Sequence, residues 1–260
     1  MSRRPRKRGE ENVTISGRSI WKPLFRIGGI APLLTLVFYI SEYAFIRWDA
    51  FPTSTEEWFL LFQRSKLLGL FYLNTLDILS ITLLGVMFMA LYVALRETNQ
   101  PYMSVAAFFS FLGVTAFIVP RIATLSLMTL SDQYAVATTE VERMRLLAAG
   151  EALGSLGTAT PQTAGFFFMS IGVLILSIVM LQGKAFSKLT AWFGILASLL
   201  TFADDISMVL APNLSTPLMI ASGLFWIPWW VMVSMGLFRL TNKPPIFGER
   251  ILEDKSPGYW

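Results

Sequence analysis

Residues 165–182 read GFFFMSIGVLILSIVMLQ, eighteen positions without a single charge. As a helix rising 1.5 Å per residue, such a stretch covers about 27 Å, close to the roughly 30 Å hydrocarbon core of a bilayer. Five further stretches are long and apolar enough to do the same: approximately 24–46, 67–95, 103–130, 189–210 and 217–239. The second and third exceed the core thickness, which predicts tilt or extension beyond it. The reading is an all-α, polytopic membrane helix bundle with about six transmembrane helices and short outer interfacial helices.

Composition agrees. The chain has 260 residues, 54% of them hydrophobic and 15% charged, where soluble domains carry roughly 25% charged residues. Mean hydropathy is positive. There is no Cys and no His, which excludes disulfides, Cys/His zinc sites, His-ligated haem and any nucleophile activated by His. No cofactor is implied. A metal would have to bind through carboxylate oxygens, and no metal site is assigned.

The net charge of +4 is uneven along the chain. Arg3, Arg4, Arg6, Lys7 and Arg8 precede the first span, as a topology signal that also meets anionic lipid rather than nucleic acid. A cleaved signal peptide is the competing reading. The first apolar run is too long and starts too late for one, and no small-residue cleavage site follows it. With the N-terminus inside, 15 of the 21 Lys and Arg fall on the inner side and 5 on the outer, leaving Arg121 alone within a span. That bias predicts cytoplasmic termini, and the plasma membrane is the expected location. Residues 1–23 form a basic cytoplasmic segment, 24–240 the six-span domain and 241–260 a cytoplasmic tail.

Two outer loops carry helical signals. Ser54-Thr55-Glu56-Glu57 before an aromatic run predicts a capped amphipathic helix on the outer surface. In the segment 131–164, Val141, Met144, Leu146, Leu147 and Leu153 recur near helical spacing, as in an interfacial or re-entrant helix. Gly154, Gly157 and Pro161 then end it. Gly28-Gly29 and Ala197-Ser198 suit close helix packing.

Ionisable groups within spans are the sharpest functional signal, because each costs roughly 2.5–3.5 kcal/mol to insert. They are Glu42, Asp77, Arg121, Asp204 and Asp205, with Asn74 one turn before Asp77. Counted from the outer span ends, Glu42 lies about 6 Å deep, Asp204 about 9 Å, Arg121 about 14 Å and Asp77 about 15 Å. All fall in the outer half of the bilayer, the arrangement of a shared site. One Arg can pair with one Asp, so the other carboxyls must be protonated, hydrated or paired with something else. Asp204 and Asp205 point about 100° apart on a helix, which predicts one in the site and the other at its rim. Pro32, Pro120 and Pro228 are potential kinks. Trp226, at the depth of Arg121, adds an aromatic wall of the kind a small amphipathic ligand uses.

Three functions remain open on these residues. The first is an outward-facing intramembrane pocket binding or passing a cation, a proton or a small amphipathic molecule. The second is a structural or accessory subunit of a membrane complex, with a membrane-protein partner, in which the buried charges only set helix register. The third is a lipid-modifying enzyme. No phosphate-binding Gly-rich loop, no HExxH and no buried Lys for a Ser-Lys dyad is present. Asp204 follows Thr201-Phe202-Ala203 rather than the Gly-x-Gly context of aspartyl intramembrane proteases. No catalytic residue is assigned, and an enzyme is the less favoured of the three.

The segments Ala90-Leu91-Tyr92-Val93-Ala94-Leu95-Arg96, Leu146-Leu147-Ala148-Ala149-Gly150 and Gly183-Lys184-Ala185-Phe186-Ser187-Lys188-Leu189-Thr190-Ala191-Trp192-Phe193-Gly194 occur in an order that resembles a bacterial membrane family, domain of unknown function 4386. The resemblance covers about residues 65–240. The proline often found before the basic residue of the last loop is absent here. The resemblance implies a similar bundle and no catalytic residues.

Overall fold

The computed structural model describes residues 20–46, 51–73 and 75–242, all helix and connection with no strand among them. The basic residues Arg3 to Arg8, the loop residues 47–50, Asn74 and the tail from 243 lie outside the described residues. Six helices are long and apolar enough to span a membrane: α1 (Lys22–Phe45), α4 (Thr75–Leu95), α5 (Gln100–Thr124), α8 (Phe166–Gln182), α9 (Lys188–Leu210) and α10 (Pro212–Asn242). Between them lie α2 (Thr55–Arg64), α3 (Lys66–Tyr72), α6 (Ser126–Val136), α7 (Glu140–Thr160) and a π turn at Pro161–Gly165.

The spanning helices pack in chain order. Each lies against its predecessor, and α10 returns to α1, so the six close into a ring. Short connections make successive helices antiparallel. The helices α2, α3, α6 and α7 therefore all fall at one end, termed the cap end. Apolar side chains fill the interior, among them Ile81, Met87, Leu91, Val173, Trp229 and Leu237. Apolar side chains also face outward: Ile40 is 67% exposed, Phe108 62% and Leu224 67%. A surface so apolar is stable against lipid tails rather than water, and the molecule is a multi-pass membrane protein.

Lipid supplies no hydrophobic force to press helices together, so close backbone approach and packing must do it. A Cβ on Gly28 would overlap Ala90 across α1 and α4. One on Gly194 would overlap Ser177 of α8 and the Trp229 indole of α10 together. Ala197 and Ser198, on the same helix, are fully buried. The small residues thus stand where helices touch.

The cap has a core of its own, formed by Phe59, Phe62 and Leu127, with Trp58, Tyr134, Leu146 and Leu147 around it. Ser54 caps α2 by accepting from the Glu57 N–H at 3.2 Å. The Glu57 carboxylate accepts from the Thr53 N–H at 2.6 Å and the Thr53 hydroxyl at 3.0 Å. Those bonds hold it below the usual carboxylate range, the Thr53 N–H most of all. Ser131 donates to the Phe59 carbonyl at 2.7 Å, and Lys66 pairs with Asp132 at 2.7 Å. The cap helices accordingly pack on one another as well as on the bundle.

Two details differ from expectation, the break in the second span and the length of α7, whereas the third span extends beyond the core as its length predicts. The long second span is two helices, α3 ending at Tyr72 and α4 beginning at Thr75, and the Thr75 hydroxyl donates to the Leu70 carbonyl at 2.6 Å and competes with the helical ladder. The stretch Gln100–Val136 is 37 residues long, about 56 Å as a helix. Only α5 is needed to cross, and α6 joins the cap. Helix α7 runs through Gly154 and Gly157 to Thr160. A helical glycine costs only about 1 kcal/mol, and packing of α7 on α5 and α6 outweighs that. Pro161 opens the π turn, consistent with its missing N–H. Helices α1, α5 and α10 continue through Pro32, Pro120 and Pro228.

Gly194→Ala is expected to lower stability by about 1–3 kcal/mol through overpacking. Gly223, whose Cβ would meet nothing within 4 Å, is the control, and Gly223→Ala should be neutral or slightly stabilising. Thermal unfolding of the two variants in detergent checks the difference.

Candidate functional site

Three of the intramembrane charges meet at one corner of the ring. The break before α4 puts Asp77 in that helix's first turn, about 3 Å from its start rather than 15 Å deep. Arg121 lies in the last turn of α5, and Glu42 in the last turn of α1. The three helix ends are neighbours in the ring, since α4 packs against both α1 and α5. Measured from the far helix ends, the three residues sit about 27–31 Å along, a common level at the cap-side boundary of the hydrocarbon core. An acidic group in a first turn also complements the helix dipole.

The Arg121 Nη2 lies 3.2 Å from the Asp77 Oδ2. Its Nη1 donates to the Leu73 carbonyl at 3.4 Å, an oxygen left at the α3–α4 break. The guanidinium therefore closes the break and pairs with the acid just beyond it. Its carbon sits 5.4 Å from the centre of the Phe117 ring. The Nε is buried without a partner. Glu42 is 4% exposed and lies within hydrogen-bonding reach of the Asp77 carboxyl and the Leu76 backbone. Its Oε1 is buried without a partner.

Asp204 does not join this corner. It is 7% exposed on α9 and accepts a short hydrogen bond from Ser215 of α10. Its own carbonyl accepts from Ser207 at 2.8 Å. Asp205 faces elsewhere, with Oδ2 buried and unpartnered. Trp226 donates from its indole to the Thr201 hydroxyl at 3.0 Å, one turn before Asp204. It meets Trp230 at 6.0 Å, and Trp230 stacks on Tyr39 of α1 at 6.0 Å and 21°. Tyr39 is one turn before Glu42. An aromatic wall thus runs from the Asp204 side of the ring to the Glu42 side.

Asn74 lies outside the described residues. Tyr39, Thr201, Phe117, Ser215 and the Leu73 carbonyl were missed in the sequence. Helical spacing from Glu42 and Asp204 would have found Tyr39 and Thr201. Ser215 and the Leu73 carbonyl carry no sequence signal. Among the described residues no three His, Cys, Asp or Glu converge as a metal would require. A separate cleft of about 400 Å³ lies at the cap between Phe51–Thr53 and α2, lined also by Glu57, Leu61 and Arg64. None of the corner residues lines it.

The model of a family described as a domain of unknown function, DUF4386, matches residues 27–235. The match begins further upstream than residue 65 and takes in α1 with Glu42. No curated protein and no solved structure matches the chain.

Arg121→Gln leaves Asp77 without its cation and the Leu73 carbonyl without its donor. A loss of about 3–5 kcal/mol is expected, as for breaking other buried pairs. Asp77→Asn combined with Arg121→Gln should recover part of it. Unfolding midpoints of the single and double variants in detergent measure the coupling.

Proposed function

The chain belongs to the DUF4386 family, and from that premise we propose that the Glu42–Asp77–Arg121 corner is an intramembrane site that binds or passes a cation, a proton or the charged end of a small amphipathic molecule. One observation carries the reading. Arg121 is committed to Asp77 and the Leu73 carbonyl, which leaves Glu42 buried beside Asp77 with an unpartnered oxygen. Two carboxyls so close repel each other in surroundings of low dielectric. One further positive charge, a proton or a cation, balances them. The Tyr39–Trp230–Trp226 wall offers an apolar surface to a ligand with both characters.

The Lys and Arg bias supports cytoplasmic termini, and hence a site that opens outward at the cap end. A second reading, a structural or accessory subunit, draws support from the Arg121 bond to the Leu73 carbonyl, which a structural staple would make equally well.

The deciding experiment is flux of protons and monovalent cations in liposomes containing the purified protein. Glu42→Gln and Asp77→Asn should each reduce flux at least tenfold. If both variants fold and match the wild type, the corner is structural. For the topology, reporter fusions at both ends should be active only on the cytoplasmic side. A periplasmic or extracellular C-terminus would reverse the outward assignment.

A further inference from the structure

Asp205 is an intramembrane carboxylate to which the corner assigns no role, and what it faces is informative. At about 100° per residue, Phe202 and Met208 lie about 60° to either side of it on α9, one turn before and one turn after. Phe202 meets Phe167, at the start of α8, with ring centres 5.4 Å apart. The Met208 sulfur accepts from the Thr163 hydroxyl, in the π turn, at 3.9 Å. Helical phase therefore sets Asp205 on the face of α9 between these contacts, the face turned towards the π turn Pro161–Gly165 and the beginning of α8. Its Oδ2 is buried with no hydrogen-bond partner. No ion pair among the described residues includes it.

The π turn supplies what a bare carboxylate lacks. Passing from i+4 to i+5 bonding leaves a backbone carbonyl without its usual amide, and Pro161 brings no N–H to replace it. Interrupted helices in membranes offer such carbonyls to small cations. We propose that Asp205, the Thr163 hydroxyl and carbonyls of the π turn form a second intramembrane site, which binds a monovalent cation, sodium or potassium.

Charge selects the class. One carboxylate among neutral oxygens balances one positive charge. A calcium site gathers six to eight oxygens, usually several of them from carboxylates, and among the described residues no such acidic group exists. Asp204 is turned away and held by Ser215. Arg121 is shielded from the π turn by Phe117, which carries the guanidinium on its ring and packs against Gly165 and Phe166. The site is therefore independent of the corner, and either can fail without the other.

The test uses the full chain purified in detergent. Its thermal midpoint is followed as sodium or potassium chloride replaces choline chloride at constant ionic strength. The wild type and Glu42→Gln should both show a saturable rise. Asp205→Asn, which keeps the shape and removes the charge, should show none. Thr163→Val should raise the half-saturating concentration roughly tenfold, the loss expected of one ligand. A wild-type midpoint indifferent to both cations overturns the proposal, as does an Asp205→Asn response equal to the wild type. A response abolished by Glu42→Gln overturns it too, by moving the cation to the corner. Should Asp205→Asn not elute as a monodisperse peak, Thr163→Val decides, and an unchanged half-saturation in that variant overturns the proposal.

Discussion

A polar group that loses its partner in hydrocarbon has no water to turn to, and most of what is distinctive in this bundle answers that constraint. The contact where it binds hardest is Arg121 with Asp77 and the Leu73 carbonyl. A helix can break at membrane depth only where something takes up the freed backbone groups. Here one guanidinium takes up a carbonyl and neutralises the acid that follows the break. The break in turn lets α3 fold into the cap while α4 crosses the membrane. Arg121 thus joins the layer of cap helices to the ring of spanning ones.

The ring meets the same constraint by other means. Its helices approach closely because glycines stand where a side chain would intrude, Gly28 against Ala90 and Gly194 against both Ser177 and Trp229. Hydroxyls turn back on their own helices, as Ser198 does to the Gly194 carbonyl and Ser234 to the Trp230 carbonyl. The large apolar side chains then divide between the interior and the lipid. What resists this treatment is a short set of buried atoms, among them the Glu42 Oε1, the Arg121 Nε and the Asp205 Oδ2. The others are the hydroxyls of Ser80, Ser110, Ser170 and Ser177 and the indole nitrogens of Trp229 and Trp230, and the three ionisable groups are the natural places to look for chemistry because a charge is the costliest group to leave unpaired in a membrane.

The two carboxylate regions are distinct in surroundings. At the corner two acids flank one cation, with aromatic rings on one side in Tyr39 and Trp230. At the α8–α9 contact one acid faces an irregular turn of backbone. Phe117 stands between Arg121 and that turn, so neither region borrows charge from the other. Asp204, adjacent in sequence to Asp205, serves the α9–α10 contact through Ser215.

The number and kind of helices were legible in the sequence. Lipid demands long apolar runs, and those are visible one residue at a time. The charged residues worth attention were legible for the same reason, since each is an exception to its run. The cap on α2 was legible because Ser54 and Glu57 act within one turn. What the sequence could not decide was which exceptions meet. The break before α4 moved Asp77 from mid-span to a helix end, and ring order then set it beside Glu42 and Arg121 while sending Asp204 to Ser215. Helix α7 likewise outran its glycines, because contacts with α5 and α6 outweigh a weak local preference. Span and charge are local properties of the chain, whereas register across a ring depends on where distant helices touch.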